Sequence, residues 1–543
     1  MKLTKFVKER AKKKVVNFMG GFSYELSPIE TLKMITASSI FAEPQYYRDG
    51  AFARAGIRDG FYSLSSYFAP YSVLGDKFEG KSTSQIMEQA IDAALDYDFG
   101  EVLAFAVELR KDYYMRLNPQ VIMVRAAMHP KKDEFVKNNP GVFDKINQMV
   151  MSRADEPISQ LTYFLYKNES HKNMPNLLKK SWAKKISSLS AYEFNKYKNT
   201  GLGMKDIICL CHPKSDVVDE FMKTGKVSVS EDNLTWENLK SAGKTWREIL
   251  DTIKLNHMAL LRNLRGIFIE IEDIALCKNL LEQLKAGVTT GKQFPFRYWS
   301  ALKAIEEDDT VHHKALIIDC LEECMDIAVE NMPKLKGKTM CLTDNSGSAW
   351  GSFTSEYGSV TIAEIDNLSA VIAARNSEEG YVGKFGDKLK EFPVSKRNGI
   401  LTQTKEITKN RGSDVGTATE NGIWLFLDRA IKKKEHWDNI FVFSDMQAGH
   451  GGLYGLDAKE YAEYVVDERY IDVNKLIMEY RTKVNPKVNV FMVQTAGYRN
   501  VLVPEYGYRT NILYGWTGKE LLFADAMIEF WDNKDAIKDG KQC

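Results

Sequence analysis

Three short stretches of this sequence put oxygen-bearing side chains at the ends of apolar runs. Asp344-Asn345-Ser346-Gly347-Ser348 follows directly on the apolar run Thr339–Thr343. A carboxylate and two hydroxyls thus share one tight turn, which Gly347 eases. Gly416-Thr417 stands shortly before an apolar helical stretch around Trp424, and Ile440–Phe443 runs into Ser444-Asp445. Asp344, Ser346, Ser348, Thr417 and Asp445 therefore form a set of oxygen donors containing neither nitrogen nor sulfur. Such a set suits a hard divalent cation, Mg2+ or a similar ion, with the remaining coordination left to water or to a partner's carboxylate. A single Asp or Ser after a strand is an ordinary turn or cap residue. Three loops that match in order, each at a strand or helix edge, are much harder to obtain by chance. Thr419, two residues deeper than Thr417, is the weaker donor of that loop.

The surrounding pattern says what must hold these loops. From residue 336 to 543, short apolar runs end in polar turns and alternate with amphipathic helices, as in a parallel α/β sheet. Strands are expected at Thr339–Thr343, Ile440–Phe443, Val488–Val493 and Ile512–Tyr514. One helix should bury Ile362, Ile365, Leu368 and Ile372, and another Trp424, Leu427 and Ile431. Ligands of such sheets bind beyond the carboxyl ends of the strands, where the oxygen donors fall.

Residues 1–335 read differently. Of the 36 glycines, 20 lie after residue 336, and the first part reads as helix after helix with no convincing strand alternation. Thr245 and Glu248 have capping-box spacing, followed by Trp246, Ile249, Leu250 and Ile253 on one helical face. A helical region this long fits stacked helix pairs, an α-solenoid, better than one bundle. Its cysteines suggest no disulfide framework, being seven in the whole chain and scattered. Cys320 and Cys324, near His312 and His313, share a stripe with Ile317 and Leu321, which reads as core packing rather than a zinc site. Cys209-Leu210-Cys211-His212 reads as a short apolar helix end.

At 543 residues, 44% apolar and 27% charged, the composition is that of a globular protein of two or more domains. The net charge of +1 gives no whole-chain field for nucleic acid, so any such binding needs a local basic patch. One exists. Lys172, Lys179, Lys180, Lys184, Lys185, Lys196, Lys198 and Lys205 are opposed only by Glu193, with Trp182, Tyr192 and Tyr197 interleaved as potential stacking surfaces. Lys180 and Lys184 share a helix face. The alternative is a solvated helix face with its aromatic residues in the core. No apolar run approaches bilayer length and no secretory signal opens the chain, so a cytoplasmic location without membrane attachment is expected. Neither a Ser-His-Asp set, nor a Walker-type phosphate loop, nor a metal-activated water with a nearby base can be assembled, so a non-enzymatic role is expected.

The three-loop pattern resembles the metal-ion-dependent adhesion site of von Willebrand factor A domains. That resemblance implies that Ser346, Ser348 and Thr417 carry the metal, while Asp344 and Asp445 act directly or through water. Upstream, Lys205-Asp206-Ile207-Ile208 running to Cys211-His212-Pro213, then Met258 to Leu264, then Phe294-Pro295-Phe296-Arg297-Tyr298 resemble the Ro autoantigen family, whose TROVE module precedes such an A domain. The resemblance spans most of residues 30–543; Asn345 and Gly347 depart from it without touching the donors, and the N-terminus diverges. It implies a ring-like α-solenoid of HEAT-type repeats over 1–335, followed by a Rossmann-like von Willebrand factor A domain over 336–543. It also implies small structured Y-type RNAs on the outer surface, single-stranded 3′ ends of misfolded RNA in a central hole, and a role in RNA surveillance. A nuclease or another protein could then bind through the metal site. Lys179, Lys180, Lys184, Lys185, Lys198 and His212 are the candidate RNA contacts. Arg262 and Arg297 lie in matched segments and either line the hole or pair with carboxylates of neighbouring helices. The competing reading is a metal-dependent protein-interaction adaptor with no RNA role.

Overall fold

The computed structural model describes residues 14–16, 22–25, 27–37 and 83–538, less short segments within the last span, chief among them 352–359 and 449–470. Two compact units divide the chain: Met87–Leu255, and Asn256–Cys543 together with Met1–Ile86.

Among its described residues Met87–Leu255 is helical throughout, including helices Leu117–Met128, Val142–Val150, Glu156–Lys167 and Asn176–Ser187. A buried polar network joins these four. Gln160 donates to Gln120 and to Asn147, both at 2.7 Å, and Asn147 donates to Ser181 at 3.1 Å. The Trp182 indole N–H donates to Gln160 Oε1 at 2.7 Å, and Trp182 is fully buried. Satisfied buried networks of this kind specify one packing arrangement. The expectation that Trp182 offers a stacking surface is therefore corrected: it faces the core because its ring fills space between helices and its N–H has a partner there. The expected capping box is present at Thr245 and Glu248, opening helix Trp246–Thr252 with Trp246 and Ile249 buried.

The other unit begins with helices His257–Glu270, Ile274–Ala286, Pro295–Glu306 and Lys314–Glu330 and continues into a six-stranded sheet. Ile317, Cys320, Leu321 and Cys324 are all buried on one face of the last helix, as core packing requires. His313 Nε2 instead meets the Glu272 carbonyl at 2.8 Å. The glutamate Glu322 of that helix accepts from the Leu401 and Thr402 N–H groups at 2.6 and 2.8 Å. It thereby caps helix Ile400–Thr408 and favours that helix's positive end.

Nine strands are present among the described residues: β1 Lys14–Val16, β2 Phe22–Glu25, β3 Leu335–Asp344, β4 Ser377–Phe385, β5 Leu389–Pro393, β6 Asn439–Ser444, β7 Asn489–Gln494, β8 Asn500–Val501 and β9 Thr510–Tyr514. The main sheet runs β5-β4-β3-β6-β7-β9, parallel except for β5. All four expected strands are there, and the two expected helix faces are buried. Sequence reading missed β4, because Gly380 and Gly383 and two glutamates break its apolar run. Gly380 is required there: a Cβ would stand 1.9 Å from the Ala374 carbonyl oxygen at the end of helix Ile362–Arg375. The expectation of no strand before residue 335 is also corrected, since β1 and β2 form a small antiparallel sheet with β8. That pairing is with a segment almost 500 residues away, and local alternation carries no trace of it.

No helix among the described residues is long and apolar enough to cross a membrane. Replacing Trp182 by Ala should destabilise the Met87–Leu255 unit by about 3–5 kcal/mol, measured by denaturant unfolding. A loss below about 1 kcal/mol would mean that the indole is not a core element.

Candidate metal centre

Strand β3 leads to β4 on one side while β6 flanks it on the other, so the strand order reverses between β3 and β6. Loops leaving the carboxyl ends of two such strands diverge and open a crevice. Asp344 ends β3 and Asp445 follows β6, which brings both carboxylates to that crevice. The Ser346 N–H donates to Asp344 Oδ1 at 2.8 Å, closing the turn. The Ser346 and Ser348 hydroxyls lie 2.8 Å apart, and Ser348 donates to Asp445 Oδ2 at 3.3 Å. Four of the five expected donors are thus assembled from their side chains.

Thr417 is held at the same place by its backbone: its carbonyl accepts the Gly347 N–H at 2.7 Å. The residue itself is exposed, in contrast to the buried Asp344, Ser346, Ser348 and Asp445. The close approach of these loops requires glycine at Gly412, where φ is +81° and a Cβ would lie 2.4 Å from the Asn345 carbonyl oxygen.

Two acids that the sequence reading left out join the site. Glu420 is buried, and its carboxylate comes with those of Asp344 and Asp445 to within 4.8 Å of one another. The Ser444 hydroxyl donates to Glu420 Oε2 at 2.7 Å. Asp366, buried on helix Ile362–Arg375, accepts from Thr495 at 3.1 Å. Its signal was readable: position 366 is one turn after Ile362 on the face packed against the sheet, where an unpaired carboxylate is out of place. Glu420 had no such signal, because its loop follows no periodic pattern.

Electrostatics dominate this crevice. Burial, then the charge of Asp445, pushes the Asp344 carboxyl up to about 7, against hydrogen bonds from Ser346 and Ser444. Burial raises Glu420 and Asp366 well above the usual carboxylate range, and the neighbouring acids add to both. Asp344 Oδ2 and Asp366 Oδ1 are buried without a hydrogen-bond partner. Orphaned carboxyl oxygens, in a set made only of carboxyls and hydroxyls, fit a hard divalent cation. Asp344, Asp445, Ser346 and Ser348 would hold it. When bound it would supply positive charge at the crevice and a point of attachment for an oxygen ligand.

The structure also locates the residues expected to meet RNA. Lys180 and Lys184 are exposed on helix Asn176–Ser187, while Lys179 and Lys185 are half-buried. Lys184 pairs with Asp144 at 2.8 Å, a surface contact worth little. Lys198 lies outside the described residues, as do Lys172 and Tyr197. His212 is exposed and caps helix Met204–Cys211 in the left-handed conformation, φ +49°. Arg262 is exposed on helix His257–Glu270, and Arg297 is exposed with its guanidinium 5.2 Å from the Phe296 ring centre.

No family model and no curated protein matches the chain. Among solved structures, the Ro (RSR) protein of Deinococcus radiodurans superposes with a TM-score of 0.54 at 13% identity, covering 80% of this chain and 93% of that chain. The chain has the fold of a Ro protein. This bears out the Ro resemblance at the level of architecture: helices joined to an α/β sheet.

Cation uptake at this centre should be linked to protons. A carboxyl whose pKa is raised in the folded state stabilises the metal-free fold below about pH 4, and that contribution is lost as pH rises through about 7. A cation needs the ionised form, so Mg2+ affinity should tighten as pH rises through about 7. The heat of binding should vary with the ionisation heat of the buffer. A pH-independent affinity in calorimetry would mean that the carboxylates are already ionised without metal.

Proposed function

We propose that this chain is a non-enzymatic RNA-binding scaffold of the Ro type, with a helical TROVE-like region and an A-type domain that binds Mg2+ or a similar divalent cation. The observation that carries the reading is the fold shared with a Ro protein across 80% of the chain. In this reading small structured RNAs of the Y type dock on the helical repeats, which form a ring. Single-stranded 3′ ends of misfolded RNA enter its central hole. The site of action is the cytoplasm, in RNA surveillance, and a nuclease or another protein is recruited through the metal centre.

The helix Asn176–Ser187 supports an RNA surface by charge. It carries Lys179, Lys180, Lys184 and Lys185 and no acidic residue. Exposed ammonium groups spaced along a helix neutralise phosphates without reading bases, so such a surface recognises folded RNA by shape and charge. With Trp182 in the core, this helix contributes cations rather than stacking. Arg262, exposed and outside any ion pair among the described residues, suits the lining of a hole for a single strand better than a packing role.

Two binding measurements test the reading. Changing Lys179, Lys180, Lys184 and Lys185 together to Gln keeps helix propensity and removes charge. Affinity for structured RNA should fall, and the slope of log affinity against log salt should become shallower by about two units. An unchanged slope in filter-binding titrations would exclude this helix as an RNA surface. A duplex with a 3′ single-stranded tail should bind better than a blunt duplex, and the advantage should shrink in the Arg262→Ala, Arg297→Ala variant. Equal tail dependence in both proteins would assign these arginines to packing.

A further inference from the structure

The spacing of the middle loop pointed to a hydroxyl, Thr417, as its contribution to the metal centre; the folded loop brings a carboxylate as well. We propose that Glu420 is a direct ligand of the divalent cation held by Asp344 and Asp445. It would fill from within the chain the coordination position otherwise left for a partner's carboxylate. This rests on reading the site as a metal centre.

Distance is the first support. Two oxygens on one cation stand no farther apart than twice the metal–oxygen distance, roughly 4.2 Å for Mg2+ and about 5 Å for Ca2+. Oxygens of Asp344, Glu420 and Asp445 all lie within 4.8 Å of one another. They therefore surround a space close to one cation's size.

The second support is that Glu420 is aimed and held. Ser444 donates to Glu420 Oε2, and the Met446 N–H in turn donates to Ser444 Oγ at 2.8 Å, with Met446 in the left-handed region at φ +64°. Both ends of the Glu420 loop are pinned to the turn after β4. The Asp387 N–H donates to the Gly416 carbonyl at 3.4 Å, and the Gly422 N–H to the Gly386 carbonyl at 3.2 Å. At Gly422 a Cβ would stand 2.0 Å from Phe385 Cβ, so the loop seats against β4 only because that residue is glycine. Swinging the Glu420 side chain out to solvent would break the Ser444 bond, and the pinned backbone on either side limits how far the loop could follow.

The third support is an unmet demand for positive charge. Asp344 Oδ2 is buried with no donor. The partners of Asp344 and Glu420 among the described residues are hydroxyls, a backbone N–H and the Asp445 carboxyl, and none is a cation. A third carboxylate raises the charge of the ligand set, and cation affinity rises with that charge. A cation gripped by three internal carboxylates keeps less attraction for an acidic group on another protein, so a protein recruited at this centre would meet the cation through a neutral oxygen.

The test uses the full chain, with Mn2+ as the probe, followed by calorimetry and by water-proton relaxation. Glu420→Gln, nearly isosteric, should weaken Mn2+ binding by roughly tenfold or more. Glu420→Ala, which removes the ligand oxygen, should add one exchangeable water to the bound ion and let acetate occupy the vacated position, while wild type ignores acetate. Unchanged affinity in Glu420→Gln and unchanged affinity and hydration in Glu420→Ala, with uptake still lost in Asp344→Ala, would overturn the role of Glu420 and leave the metal centre standing. Wild type that takes up no Mn2+ at all would overturn both. A measurement without substitution guards against a misfolded variant. In protein carrying 13C-carboxyl glutamate, the infrared difference between Mg2+-bound and metal-free states should contain a glutamate carboxylate band, and its absence overturns the proposal.

Discussion

Like charges crowded out of water are the constraint around which the α/β unit is organised. Asp344, Asp366, Glu420 and Asp445 are all buried at one edge of the sheet. Elsewhere the chain treats buried charge conventionally. Arg509 is paired with Asp535 at 2.7 Å, Lys384 with Asp414 at 2.7 Å and Arg110 with Glu156 at 2.7 Å. An unpaired buried carboxylate costs several kcal/mol unless it takes up a proton or a cation. In the acid cluster, hydroxyls and a backbone amide hold Asp344, Asp366 and Glu420. Those groups orient carboxylates without neutralising them. That is the division of labour a cation site needs, since oxygens must be held in place while their charge stays available.

The backbone around the cluster follows from that need. Loops from β3, from the stretch after β5 and from β6 must approach within hydrogen-bonding distance, and side chains at their contact points would hold them apart. Gly412 and Gly422 supply the close approach, with Gly347 donating its N–H to the Thr417 carbonyl. Beyond the crevice, Glu322 caps the helix Ile400–Thr408, and Lys303 pairs with the half of the Thr361 capping box contributed by Glu364 at 2.8 Å. Helices upstream of the sheet are therefore fastened to the elements that frame the site, all within one compact unit.

In the Met87–Leu255 unit the polar network around Gln160 serves the opposite purpose. It takes the polar groups of Asn147, Ser181 and Trp182 out of circulation and leaves lysines as the chemistry displayed by the helix Asn176–Ser187. The same helix thus carries specificity of packing on its inner face and a diffuse positive charge on its outer one. Binding through such a face depends on salt more than on base identity.

Local spacing alone determined the four parallel strands, the buried faces of the helices Ile362–Arg375 and Gly422–Lys433, the Thr245–Glu248 capping box and the placing of Asp344, Ser346, Ser348, Thr417 and Asp445 at strand or helix edges. Each of these depends on residues a few positions apart, whose period or turn chemistry survives in one sequence. The tertiary structure decided the rest. Strand β4 is a strand because neighbours on both sides complete its hydrogen bonds, despite its glycines. The strands β1 and β2 exist through a partner far along the chain. Trp182 is core and not surface because three other helices close over it. Glu420 enters the acid cluster because its loop is pinned at both ends to the turn after β4. In all four, the deciding contact is between segments whose separation in sequence erases any periodic mark, so only the folded chain could bring them together.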